Sequence, residues 1–221
     1  MKRILKSLRK DTPRDLTPKN RLTETRMMYN TAKMKKLLLI TGDLATGKST
    51  FAAILSKRYG TAVMYKDKIK EVLGDTIGFK NREENLRLSA ATMELMIYCF
   101  SEAATLGHNA ILEANFKENE LCSIQKIAEE NSYDVLTLVL RADMDIIYHR
   151  FVNRIENENR HPVHTSGFDG YDSLKHYIEL GRAQTTFGTT LEINADDFTY
   201  QTSDNILSVI DEFMEKKNEN Y

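Results

Sequence analysis

The nine residues Gly42-Asp43-Leu44-Ala45-Thr46-Gly47-Lys48-Ser49-Thr50 set two glycines five positions apart and follow the second with a lysine and two hydroxyls. Each residue type has a chemical use in that spacing. Glycines let consecutive backbone N–H groups wrap an anion, a lysine ammonium reaches the outer phosphates of a nucleotide, and a serine hydroxyl ligates Mg²⁺. At ordinary residue frequencies the pattern arises by chance in roughly one chain in a hundred of this size. Gly42, Asp43, Leu44, Ala45, Thr46, Gly47, Lys48, Ser49 and Thr50 are therefore the nucleotide-binding candidates, with Lys48 also catalytic and Ser49 the Mg²⁺ ligand. Asp43 is the odd member, because a carboxylate beside phosphates repels them unless its side chain points away.

Two further acids follow short apolar runs. Asp67, after Thr61-Ala62-Val63-Met64-Tyr65, stands where a carboxylate could accept or orient a substrate hydroxyl proton; it could equally cap the helix that opens there. Glu113 ends Ala110-Ile111-Leu112 and either holds Mg²⁺ through water, contacts substrate together with Asn115, or is a plain surface acid. Arg150 and Arg154 lie four apart, on one face of a helix, and Arg160 follows in a polar stretch. Guanidinium groups there suit a lid that closes over a transferring phosphate. His161 and His164 lack a third nearby ligand and read as loop residues rather than a metal site.

These residues need a scaffold, and the hydrophobic pattern describes one. Leu37-Leu38-Leu39-Ile40 is apolar throughout, as in a strand buried on both faces. Residues 61–65, 110–112, 135–140 and 191–193 supply further short apolar runs. Between them, helical spacing recurs in Phe51-Ile54-Leu55-Tyr59, in Leu86-Ala90-Met93-Ile97-Phe100-Ala104, in Leu121-Ile124-Ile127-Ala128, in Ile146-Ile147-Phe151-Ile155 and in Ile206-Val209-Ile210-Phe213. Strands alternating with helices predict a parallel α/β sheet covered on both faces. Residues 153–171 break the alternation with few apolar positions, which marks a candidate lid.

At 221 residues the chain has room for one domain with an appendage, and 41% hydrophobic with 29% charged residues is ordinary for a globular protein. Its formal charge of −1 conceals an asymmetry. Residues 1–36 hold twelve Lys/Arg against three Asp/Glu, or +9, while the other 185 carry 19 basic and 29 acidic residues, or −10. We divide the chain into a basic extension over 1–34 and a domain over 35–221, with Met34 a possible native start. The extension could attract nucleic acid, although a solvated tail is favoured over that role. No run approaches the roughly 20 apolar residues that cross a bilayer, and no apolar core follows the basic N-terminus as in a secretory signal. Cys99 and Cys122 suit a reducing, cytoplasmic setting, with Cys99 in the core.

The blocks Gly42–Thr50, Lys66-Asp67-Lys68-Ile69-Lys70, Leu112-Glu113-Ala114-Asn115-Phe116 and Arg150…Arg154…Arg160-His161-Pro162 occur in the order of the P-loop small kinases, which the chain resembles over roughly residues 35–215. That group includes polynucleotide 5′-kinase domains, chloramphenicol phosphotransferase and the zeta-toxin kinases. The resemblance implies a P-loop NTPase sheet of five parallel strands in the order 2-3-1-4-5, with an Arg-bearing lid. It also implies ATP and Mg²⁺ as cofactors, Asp67 as general base, Arg154 or Arg160 as the lid arginine, and adenine between the lid and the loop after Leu191-Glu192-Ile193. The expected function is transfer of the γ-phosphate of ATP to a hydroxyl of a small molecule. The alternatives are a polynucleotide 5′-hydroxyl kinase and a non-catalytic ATP-binding regulator. Glu-Ala-Asn-Phe after the third strand departs from the Glu-Gly-Thr-like run of zeta toxins, which argues against an amino-sugar acceptor.

Overall fold

The computed structural model describes residues 35–158, 160–164 and 168–215; the basic extension lies outside these. β1 (Lys35–Gly42) contains the apolar run and pairs in parallel with β3 (Ala110–Glu113) on one side and β4 (Tyr133–Arg141) on the other. β2 (Val63–Tyr65) adds to β3, and β5 (Thr189–Asn194) adds to β4, both in parallel. The sheet order β2-β3-β1-β4-β5 is the one the resemblance implies.

Alternation along β1 shows why it is apolar at every position. Leu38 and Ile40 face one core with Phe51, Leu136, Ile147 and Ile210, whereas Leu37 and Leu39 face another with Met96, Phe100 and Ile124. Helices α1 (Lys48–Tyr59), α5 (Met144–Asn157), α6 (Tyr171–Arg182) and α7 (Asp204–Glu215) bury apolar residues in the first core; α3 (Arg82–Thr105) and α4 (Glu118–Glu130) do so in the second. α2 (Lys66–Ile77) runs directly out of β2. Local chemistry sets several ends. Asn81 accepts the Glu84 N–H at 2.9 Å, and Glu84 returns to the Lys80 N–H at 2.7 Å. Asp143 caps α5 by accepting from the Asp145 N–H. Among the described residues no helix is long and apolar enough to cross a membrane.

Four expectations need correction. The second strand begins at Val63 rather than Thr61 and is only half-buried, as an edge strand can be. The buried face of α3 runs through Leu88, Met93, Met96, Phe100 and Ala104, which leaves Leu86 59% exposed and Cys99 half-buried on the flank rather than in the core. The described parts of the stretch 153–171 are less irregular than its composition suggests, residues 159 and 165–167 lying outside the described residues. α5 continues to Asn157, and a 3₁₀ turn at Pro162–His164 docks through buried Val163, whose carbonyl accepts from Lys70 and Asn85 at 3.0 and 3.2 Å. α6, beginning at Tyr171, was not foreseen, although Leu174, Tyr177 and Ile178 have helical spacing.

Candidate active site

Gly42 leaves β1 at φ +118°, and a Cβ there would stand 2.1 Å from the Leu140 carbonyl oxygen, so only glycine fits. The Asp43 N–H bonds that same carbonyl at 2.8 Å, which pins the start of the loop to β4. Gly47, at φ +83°, turns the chain into α1, whose free N–H groups then face the loop. The turn is braced from behind, since the Tyr200 hydroxyl donates to the Thr46 carbonyl at 2.7 Å and the Thr46 hydroxyl to the Asp43 carbonyl at 2.8 Å.

Lys48 is buried, and its ammonium donates to the carbonyls of Asp43 and Gly42, the latter at 3.3 Å. Burial lowers its pKa; Glu113, Asp67 and Asp43 oppose that effect and Arg154 adds to it. The Ser49 hydroxyl donates to Glu113 Oε2 at 3.1 Å. Glu113 is only 5% exposed, so it is no surface acid. Burial raises its pKa, Lys48 works against the shift, and the Asp67 charge works with it. Asp67 is the second residue of α2, exposed, and α2 has no side-chain cap, so the capping role fails. Its charge acts on Lys48, Glu113 and Arg160.

The side chain of Asp43 does point away from the loop interior. Its carboxylate accepts from Arg182 Nε at 3.1 Å and Nη2 at 2.6 Å, and from the Ala142 N–H at 3.1 Å, with Arg141 at 3.4 Å. Arg182 also donates to the Ala142 carbonyl at 2.6 Å. A buried carboxylate this well satisfied fixes backbone position without offering charge to a ligand.

The three arginines separate. Arg150 donates to the carbonyls of Ala195 and Asp196 at 2.7 and 2.6 Å and lies 4.2 Å over the Phe198 ring, so it holds the loop after β5 and is no part of a lid. Arg154 pairs with Glu158 at 3.1 Å and is half-exposed. Arg160 is half-buried, and burial, then Arg154, lowers its pKa, while Asp67 opposes. His161 and His164 contact Asp75 and Glu71 of α2 at 2.9 and 2.8 Å, which ties their turn to the helix that carries Asp67.

Asn115 has a buried Oδ1 with no hydrogen-bond partner. It lines a cavity of about 290 Å³ that opens beside Gly42 and Asp43 and continues between Phe116 and α6. Arg182, Tyr200, Tyr177 and Gln184 belong to this neighbourhood and were missed from sequence. The helical spacing of α6 could have revealed the element, but nothing local pairs Arg182 with an acid 139 positions earlier.

The parallel sheet in this order, with a phosphate loop after its central strand, defines a P-loop kinase fold. Residues 38–168 match the family model described as AAA domain, and the chain belongs to that family. No curated protein matches it in sequence. Among solved structures it is similar to a protein from Chloroflexus aurantiacus provisionally assigned as a kinase, at 23% identity and TM-score 0.71, over 83% of this chain and 100% of that one. The APS kinase of Mycobacterium tuberculosis, in complex with AMPPNP and APS, is similar at 15% identity and TM-score 0.53, over 83% and 99% of the two chains. A tunicamycin resistance protein from Deinococcus radiodurans is similar at 16% identity and TM-score 0.52, over 80% and 95%.

Proposed function

We propose that the protein is a kinase that transfers the γ-phosphate of ATP to a hydroxyl group of a small molecule. The observation that carries this reading is the convergence of Lys48, Ser49, Glu113 and Asp67 at the carboxyl ends of β1, β2 and β3. A nucleotide-binding protein without chemistry needs the loop but not Asp67, an exposed carboxylate whose charge reaches both Lys48 and Glu113.

The residues fit the cofactors. Gly42 packs against Leu140 too closely for a Cβ and starts the turn, and the N–H groups that open α1 after Gly47 suit a phosphate. Ser49 and Glu113, hydrogen-bonded to each other, are hard oxygen donors of the kind Mg²⁺ prefers. Bound there, Mg·ATP supplies an activated γ-phosphoryl group. Lys48 would exchange the carbonyls of its own loop for the outer phosphates and offset charge that builds as the bond to the leaving oxygen breaks. Asp67 would orient the acceptor hydroxyl and take its proton as that oxygen bonds phosphorus. Arg154 and Arg160 would bring positive charge to the same point, and the Arg150–Phe198 pair beside the loop gives the base a flat surface.

Transfer of labelled γ-phosphate should be measured against hydroxyl metabolites, nucleosides and 5′-hydroxyl oligonucleotides, with Lys48→Ala as control. Transfer to a small molecule that depends on Lys48 is the expected result. A preference for the oligonucleotide that is lost without residues 1–33 and falls steeply with salt overturns the acceptor class. ATP binding with no transfer to any acceptor overturns the enzyme.

A further inference from the structure

The acceptor chemistry can be read from the cavity beside the P-loop, on the assumption that the kinase reading holds. We propose that this cavity binds an amphipathic alcohol, meaning an aromatic or alicyclic body that carries the reacting hydroxyl and a separate N–H or O–H donor. Three features lead there. The first is location: Gly42 and Asp43 of the loop line the cavity, and so does Lys66, the residue before Asp67, so the cavity adjoins both the loop and the segment that carries the base. The second is size. A volume of about 290 Å³ lies at the lower limit of small-molecule pockets and holds one or two rings, not a polynucleotide.

The third is the chemistry of the walls. Phe116, Leu121, Val139 and Ile178 line the interior, and most of its surface is apolar. Thr41, Lys66, Lys117, Arg141 and Thr186 also line it and could meet some hydroxyls, but a polyol would still set others against carbon. Against that apolar ground, Asn115 Oδ1 and Gln184 Oε1 are buried acceptors with no donor among the described residues, and both residues line the same cavity; the Asn115 amide N–H, on the other side of that group, meets the Tyr177 hydroxyl. Buried acceptors left without donors are costly. A ligand that brings one or two donors of its own would satisfy both.

The probe is N-acetylphenylalaninol, which has a primary hydroxyl, a phenyl ring and one amide N–H. Binding to protein loaded with Mg·AMPPNP is followed by saturation-transfer NMR, and phosphoryl transfer from ATP is followed separately, with gluconate, glucose and a 5′-hydroxyl oligonucleotide as competitors. The probe should bind, and its kcat/KM should exceed that of each competitor by at least about tenfold. Asn115→Leu keeps the side-chain outline and Gln184→Leu a slightly shorter apolar branch, both without the acceptor, and each should lower kcat/KM for the probe by about five- to tenfold through KM. AMPPNP affinity should change less than twofold. Should Asn115→Leu not fold, Gln184→Leu decides. Absence of probe binding, preference for a polyol, or Leu variants with unchanged kcat/KM each overturns this inference while leaving the kinase reading intact, whereas preference for the oligonucleotide overturns it together with the small-molecule acceptor class. Loss of AMPPNP binding itself would instead overturn the kinase reading, and this proposal with it.

Discussion

Asp43 and Glu113 are both buried carboxylates beside the P-loop, and the sheet gives them opposite surroundings. Asp43 lies toward β4, where Arg182, Arg141 and the Ala142 N–H take up its oxygens. Glu113 lies toward β2 and receives one hydrogen bond, from Ser49, although burial penalises its charge. The first is spent on architecture. The second keeps free lone pairs facing the loop at an energetic cost, which is the usual mark of a functional group. Position in the motif would have ranked them the other way, since Asp43 belongs to it and Glu113 does not.

The largest expected effect tests whether the β2 side carries the chemistry. Asp67→Asn should reduce turnover by roughly 10²–10⁴-fold while ATP affinity stays within a few-fold, measured on one preparation once an acceptor is known. Unchanged turnover would move the base to Glu113. Next, Lys48→Ala should cost roughly 10²–10³-fold in turnover and weaken ATP binding with little change in thermal stability, because among the described residues Lys48 hydrogen-bonds carbonyls of its own loop alone.

The β4 side should respond in stability instead. Arg182→Ala leaves a charge at Asp43, a side chain 2% exposed, with weaker partners. It should cost about 2 kcal/mol in denaturant unfolding. The double variant Asp43→Asn/Arg182→Ala should recover part of that loss. Full additivity would mean that the pair does not act as a unit.

The smallest effect concerns pH. Burial raises the Glu113 pKa, so its proton is held more tightly in the folded chain than in the unfolded one. That contribution is complete below the ordinary carboxylate range and is lost as pH rises through the folded-state value. Glu113→Gln should therefore gain stability relative to the parent across that window and level off above it, as melting temperatures from pH 4 to 8 would show. A constant difference would place Glu113 in water.

The contrast also explains what could be read from the residues alone. Strands buried on both faces leave a dense signal, as Leu37–Ile40 does, and a strand–loop–helix motif is local, so the central fold and the phosphate loop were legible. Asp67 and Glu113 could be singled out as candidates because parallel strands end on one side of a sheet. Arg182 was not, because a pair formed between a loop and a helix far along the chain leaves no periodic trace. Arg150 was misassigned for a related reason: its helical face was read correctly, but its partners, the Ala195 and Asp196 carbonyls, belong to a loop with no hydrophobic pattern. The docking of Val163 was hidden because one buried residue in a polar stretch looks like none.

The bracing of the phosphate loop has a consequence for the chain's assembly. The fixings on Asp43 and Thr46 come from Arg182 and Tyr200, 139 and 154 residues downstream. Contacts so far apart in sequence form slowly, because a long loop must close before they form. On a ribosome adding roughly 5–20 residues per second, the loop would be made about seven to thirty seconds before its braces exist. During that interval β1 and α1 can form, but nothing from the second half of the chain fixes the turn between them. A nascent chain halted near residue 180 should thus contain the whole motif and still lack its bound geometry.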